Sequence, residues 1–358
     1  MHFCGINDNM VYSINRFTAR GESCIISVNG IDLEEMMDNQ LISLQLEKPQ
    51  QVIKAQEAQK GMNWFLEILV FLAVFIVSSI GQVFCMLPGE VILLAMNEDY
   101  RAAVTANDLE AATLAAEQIG GSDPYMVFSL FATIGMTLVT ILFCKLIQKR
   151  KIDTLGFTKG EAGREYLIGL GVGFVLFSSA ILICVLTGAL KIEGFSETFG
   201  VGMFILFVLG YMLQGMSEEV LCRGYLMVSI GRRYSMWVAV FSNAVIFAAL
   251  HLLNNGISIL AFINLVLFGV FASLYFLKRG SIWGIAALHS IWNLVQGNFW
   301  GLRVSGMITE CSVLRSTMID GKEIFNGGAF GPEGGLGVSV VLIVGICVLL
   351  RKQKNEAV

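Results

Sequence analysis

Two adjacent glutamates and an arginine, Glu218, Glu219 and Arg223, interrupt a long apolar run at "GMSEEVLCRGYL", residues 215–226. A charge inside a bilayer costs about 2.5–3.5 kcal/mol on insertion scales, so three charges in one turn or two of helix need compensation. Glu219 and Arg223 stand four residues apart on a helix, acid first, and can neutralise each other as an ion pair. Glu218 lies about 100° around the helix from Glu219, and the residue four positions on is Cys222, which offers no charge. A carboxylate without a counter-charge in a medium of low dielectric holds a proton more tightly, which suits a general base working near neutral pH.

The chain has three histidines: His2 lies in a polar tail, while His251 in "FAALHLLN" and His289 in "ALHSIWNL" fall within apolar segments. A lone buried histidine is usually a satisfied core residue, but two in one bundle with an unpaired glutamate can do chemistry. Asn293 follows His289 by four residues and shares its helix face, and Phe247 precedes His251 by the same step. The set supports peptide hydrolysis. Glu218 would take a proton from water that His251 helps to hold, while His289 and Asn293 donate to the oxyanion formed at the amide carbonyl. No serine has a GxSxG setting and no cysteine sits beside a candidate base, so covalent acyl transfer has less support. Two histidines and two glutamates can also bind zinc. HExxH is absent and Arg223 places positive charge beside Glu219, so neither a metal nor another cofactor is expected.

These residues need helices to hold them. With 55% hydrophobic residues, 15% charged residues and a mean hydropathy of +0.70, the composition is that of an integral membrane protein. The net charge of -4 and the lack of any basic block exclude nucleic acid as a partner. Apolar segments at 64–87, 125–147, 166–188, 201–217, 235–253, 258–277, 281–299 and 336–350 predict an all-α, polytopic bundle of about eight transmembrane helices. The fourth should continue as helix to about Ile230, because its charged part has good helix formers and no proline. Residues 1–60 form a polar extension, with a hairpin signal around Asn29 and Gly30, and residues 61–353 form the membrane domain. The first apolar run begins near Trp64 and is too long for a signal peptide, so it reads as a true span. Eight scattered cysteines without a CxxC pair read as core residues.

Lys145, Lys149, Arg150, Lys151, Arg232, Arg233, Lys278, Arg279 and the basic C-terminal tail mark alternate connections as cytoplasmic, with both termini inside. In a bacterial cell the membrane would be the plasma membrane. The acid-rich connection before residue 124 and the glycine-rich 301–335 connection should then lie outside. Gly169, Gly171 and Gly173 read as close helix packing, and Trp64, Trp237, Trp283 and Trp300 as interface anchors. Straight helices rising about 1.5 Å per residue put Glu218 roughly 20 Å, His251 roughly 25 Å and His289 roughly 15 Å from their nearest basic clusters. A shared site therefore requires a bend, or a stretch that runs along the interface.

EExxxR at Glu218, Glu219 and Arg223, FxxxH at Phe247 and His251, and HxxxN at His289 and Asn293 follow in order on successive apolar segments. This pattern, over residues 201–299, resembles the CAAX prenyl endopeptidase and bacteriocin-processing (Abi) family of intramembrane glutamate proteases. "GGAFGPEGG" before the last segment also resembles a stretch seen in bacterial members, with no chemistry attached to it. The resemblance implies that Glu218 and His251 activate water, that His289 and Asn293 form the oxyanion site, and that Glu219 with Arg223 holds the site together or orients substrate. It implies no metal, and a peptide or protein partner at the lipid bilayer, with or without a lipid modification. Two other classes use such a cluster: a non-catalytic immunity or scaffold protein that binds a peptide, and a proton-coupled transporter with glutamate and histidine as relay groups.

Overall fold

The computed structural model describes residues 12–14, 26–28, 31–32 and 46–351 of the chain. In the N-terminal unit, β1 (Tyr12–Ile14), β2 (Ile26–Val28) and β3 (Ile31–Asp32) form an antiparallel sheet in that order. Val28 stands opposite Ile31 and Ser27 opposite Asp32. Asn29 and Gly30, which carry the hairpin signal, lie outside the described residues.

Residues 48–351 make up the second unit, which is almost wholly helical. Its helices are α1 (Gln50–Ala58), α2 (Trp64–Met96), α3 (Glu98–Thr105), α4 (Leu109–Gly120), α5 (Asp123–Leu146) and α6 (Ala162–Leu186). They are followed by α7 (Val201–Gly231), α8 (Met236–Ala249), α9 (Ile259–Arg279), α10 (Ile282–Leu294), α11 (Glu323–Asn326) and α12 (Leu336–Leu350). Each of the eight apolar segments is thus a helix. Five of these, α2, α5, α6, α7 and α9, are long and apolar enough to cross a membrane. The others are cut short where polar or glycine-containing sequence intervenes, as at Asn254, Asn255 and Gly256 after α8. The acid-rich connection forms α3 and α4. The glycine-rich one carries β5 (Leu314–Met318), which pairs antiparallel with β4 (Leu190–Phe195).

Local sequence sets the helix ends. Asn63, Ser122, Ser235 and Ser258 accept hydrogen bonds from the backbone N–H three residues on, at the starts of α2, α5, α8 and α9. Gly280 ends α9 at a φ of 62°, a conformation that costs a residue with a Cβ far more. Inside α7, residues Val220–Met227 widen into a π-helical stretch that carries Arg223 and starts one residue after Glu219. Such stretches shift the hydrogen-bond pattern from i→i+4 to i→i+5 and often mark functional sites. The buried Arg150 guanidinium fastens this stretch: Nη2 donates to the Gly224 carbonyl at 2.9 Å, and Nη1 to Gln148 Oε1 at 3.0 Å and Ser229 Oγ at 3.2 Å.

Three basic residues that the sequence places in cytoplasmic connections are spent inside the protein: Arg150, Arg232 and Arg279. Arg232 Nη2 meets Glu67 Oε1 at 2.9 Å, with both side chains buried, and ties the end of α7 to the start of α2. Arg279 pairs with Glu165 at the start of α6. α1 docks on the same end of the unit, Gln51 Nε2 donating to the Gly280 carbonyl at 2.6 Å and Lys54 pairing with Asp153 at 2.8 Å. The six cysteines within the described residues are free thiols, four of them buried.

Helix α10, which carries His289 and Asn293, packs against α6 and α7. A Cβ on Gly169 would strike the Gly284 carbonyl, and one on Gly173 would strike Leu288 and Ile291, so glycine permits this approach. Gly171 faces open space, and the packing explanation holds for two of the three glycines. Gly169→Leu should therefore cost about 1–3 kcal/mol of stability while Gly171→Leu is near neutral, read from thermal unfolding of the purified protein in detergent. Arg232→Ala leaves Glu67 buried without its partner and should cost about 3–5 kcal/mol, much of which returns when Glu67→Leu is added.

Candidate active site

Glu219 and Arg223 form the ion pair their spacing predicts, Arg223 Nη1 reaching Glu219 Oε1 at 2.9 Å with both side chains fully buried. The same oxygen meets Nδ1 of His289 on α10 at 2.8 Å. A carboxylate paired with arginine only accepts, so His289 donates from Nδ1 and turns Nε2 towards the cavity. The Arg223 guanidinium is capped by aromatic rings, 4.6 Å from the centroid of Phe247 on α8 and 5.9 Å from that of Phe268 on α9. Phe268 also lies edge-on to His289 at 5.0 Å. One ion pair thus joins α7, α8, α9 and α10.

Glu218 points the other way, into a cavity of about 300 Å³. Gln214 Nε2, one turn earlier on α7, donates to its Oε1 at 2.5 Å. Its Oε2 is buried, has no hydrogen-bond partner among the described residues, and lies 3.8 Å from His289 Nε2, beyond direct hydrogen bonding. Gln214 Oε1 in turn accepts from Asn293 Nδ2 at 3.0 Å. One glutamine therefore sets the distance between the candidate base and the candidate oxyanion donor.

His251 lies beyond the end of α8, in a turn that also lines the cavity. Its Nδ1 donates to the Phe247 carbonyl at 2.8 Å, since a carbonyl oxygen only accepts, and this leaves Nε2 as an acceptor. The Phe247 and His251 rings are 4.7 Å apart. FxxxH thus works as a unit: the phenylalanine supplies a carbonyl to aim the imidazole and a ring to cover Arg223.

The structure brings all seven predicted residues together. Glu218, Phe247, His251, His289 and Asn293 line the cavity, while Glu219 and Arg223 stand behind its wall. A π-helical stretch of α7 begins one residue after Glu219, and α8 ends at Ala249, which puts His251 on a turn.

Three participants escaped the sequence analysis. Gln214 is legible as a polar residue in an apolar helix one turn before Glu218, whereas the position one turn after it holds Cys222, which offers no charge. Ser305 and Glu333 come from the glycine-rich connection and also line the cavity. Glu333 Oε1 accepts from the Ser305 hydroxyl at 2.6 Å and from its backbone N–H. The turn that presents Glu333 passes through Gly331 at a φ of 105°, where a Cβ would strike the Arg303 carbonyl. The glycines of "GGAFGPEGG" are needed for that fold-back.

A comparison with curated proteins found no match. Residues 200–295, about a quarter of the chain, match the family model described as type II CAAX prenyl endopeptidase Rce1-like. Gln214, Glu218, Glu219, Arg223, Phe247, His251, His289 and Asn293 all fall within the matched stretch. The part of the chain that builds the site is therefore similar to the Rce1-like CAAX endopeptidases, the family its three motifs resemble, and this supports a membrane-embedded endopeptidase.

Proposed function

We propose that the chain hydrolyses a peptide bond in a membrane-associated protein or peptide with water activated by Glu218, without a metal. The observation that carries this reading is the state of the Glu218 carboxylate. One oxygen is held by Gln214 and the other is buried, unpartnered and turned to the cavity beside His289 Nε2. A water held by Glu218 Oε2 and His251 Nε2 gives its proton to Glu218 as its oxygen adds to the carbonyl carbon. The oxyanion accepts from the Asn293 amide and from the Nε2–H of His289 in its imidazolium form, which Glu219 holds in place through Nδ1–H. Collapse breaks the C–N bond, and Glu218 returns the proton to the leaving amine.

Arg223 supports the metal-independent reading, because a guanidinium 2.9 Å from Glu219 opposes a second cation at that carboxylate. Among the described residues no three His, Cys, Asp or Glu side chains are grouped to hold a metal ion. The family match supports a membrane protein or peptide as substrate, and the lipid modification in the family's name makes lipidated peptides the first to try.

Cleavage of a quenched fluorescent peptide library, lipidated and unlipidated, by purified protein in detergent or liposomes tests this reading. Glu218→Gln keeps the shape and removes the base, and should lower turnover at least about 10²-fold. Chelator should leave turnover unchanged. Equal turnover in Glu218→Gln and wild type would overturn Glu218 as the base, and turnover lost to chelator would overturn metal independence. Asn293→Ala should lower kcat by about 10²–10³ with little change in KM, as removal of an oxyanion donor does. A transporter would tolerate that change, so measured transport with no such kcat loss would favour the rival class. Gln214→Leu should reduce kcat by a smaller factor than either, since it frees Glu218 and Asn293 without removing them.

A further inference from the structure

Glu333 has no part in the hydrolytic scheme, yet it lines the same cavity as Glu218, His251 and His289. It is only 8% exposed. Its backbone carbonyl accepts from Asn264 Nδ2 at 2.8 Å, and Ser305 supplies two donors to a single carboxylate oxygen, Oε1. Among the described residues, the hydrogen bonds to this carboxylate fall on Oε1. The side chain is therefore held at its backbone and at one oxygen, with the other oxygen left for an occupant of the cavity.

The chemistry of that occupant follows from what the cavity lacks. Among the described residues no lysine or arginine lines it. Arg223 stands behind the wall, committed to Glu219 and covered by Phe247 and Phe268. Burial holds the Glu333 carboxyl above the usual carboxylate range, and the Ser305 donors offset this only in part. An ionised carboxylate can only accept, and a buried one without a cation is costly. A ligand that brings a cation relieves that cost. A ligand carboxylate in the same place meets repulsion and no compensating lysine or arginine.

We infer that Glu333 anchors a subsite for a basic group of the substrate, an ammonium or guanidinium close to the bond that is cut. This deepens the endopeptidase reading and rests on it. The basic group donates to Oε2, and Ser305 keeps Oε1 occupied so that Oε2 stays turned to the cavity. Glu333 is thus a specificity-determining residue, distinct from the base Glu218.

The test uses the full-length protein in detergent and an N-acetylated, apolar, quenched fluorescent decapeptide with one lysine walked through every position. The parent peptide carries norleucine throughout, and a version with a free N-terminus separates a terminal amine from a side-chain one. Lysine at one or two adjacent positions should raise kcat/KM about tenfold over norleucine, the size of one well-placed charge-assisted hydrogen bond. Glu333→Gln should bring that ratio close to one, and Ser305→Ala should lower it, which keeps the test open if Glu333→Gln fails to fold. Equal rates for lysine and norleucine at every position in wild type would overturn the subsite. So would an unchanged ratio in the variants, even where both peptides are cut more slowly, because that is the mark of a structural role. If no peptide is cut, the endopeptidase reading fails on its own, and anisotropy of fluorescein-labelled copies then decides the subsite. Tighter binding of the lysine peptide that is lost in Glu333→Gln upholds it, and equal affinities overturn it.

Discussion

One oxygen of Glu219 receives both Arg223 and His289, and the organisation of the site depends on that convergence. In a bundle surrounded by lipid, apolar packing gives little preference for one helix arrangement over another, because lipid tails are as apolar as leucine. A fully buried carboxylate is different, since it demands cationic or donor partners at defined positions. Glu219 finds one partner on its own helix and one on α10, which fixes the register between the two. Arg223 then lies against rings from α8 and α9 and extends the constraint to two further helices.

The backbone is shaped to allow this. A regular helix from Val201 to Gly231 would carry its charged turn on the ordinary i→i+4 pattern, whereas the π-helical stretch from Val220 to Met227 reshapes it, and Arg150 satisfies a carbonyl within that stretch. Opposite, glycines at 169, 215 and 284 let α6, α7 and α10 approach closely enough for short side chains to meet.

Two carboxylates turned to one cavity have different surroundings. Glu218 is tethered by a neutral amide and keeps one oxygen free beside an imidazole, an arrangement suited to moving a proton. Glu333 is held by a serine on a glycine-built turn, at a wall that a different part of the chain supplies. The matched family stretch ends at residue 295, so this second wall lies outside it. On the proposed reading, chemistry and selectivity can then vary separately, the first on helices and the second on a connection.

Much of this was legible in the sequence because charge is so costly in lipid. A reader who sees Glu218, Glu219, Arg223, His251, His289 and Asn293 in apolar segments can infer that they meet, and the i, i+4 spacing alone predicts the Glu219 and Arg223 pair. Helix type and the eight apolar segments followed from hydropathy, and the glycines at 169 and 173 from their setting. Tertiary structure alone decided which partners are shared across helices. Spacing says nothing about contacts between residues 70 or 79 positions apart, such as His289 with Glu219 or Asn293 with Gln214. It decided that three basic residues read as loop charges are buried or paired within the protein. It also decided that a glycine-rich connection returns to the cavity with Glu333, because a fold-back through left-handed glycines leaves no hydrophobic period to read. Local spacing and the cost of desolvation act along the chain and can be read from it, whereas the closure of distant segments around a shared charge exists only once the chain has folded.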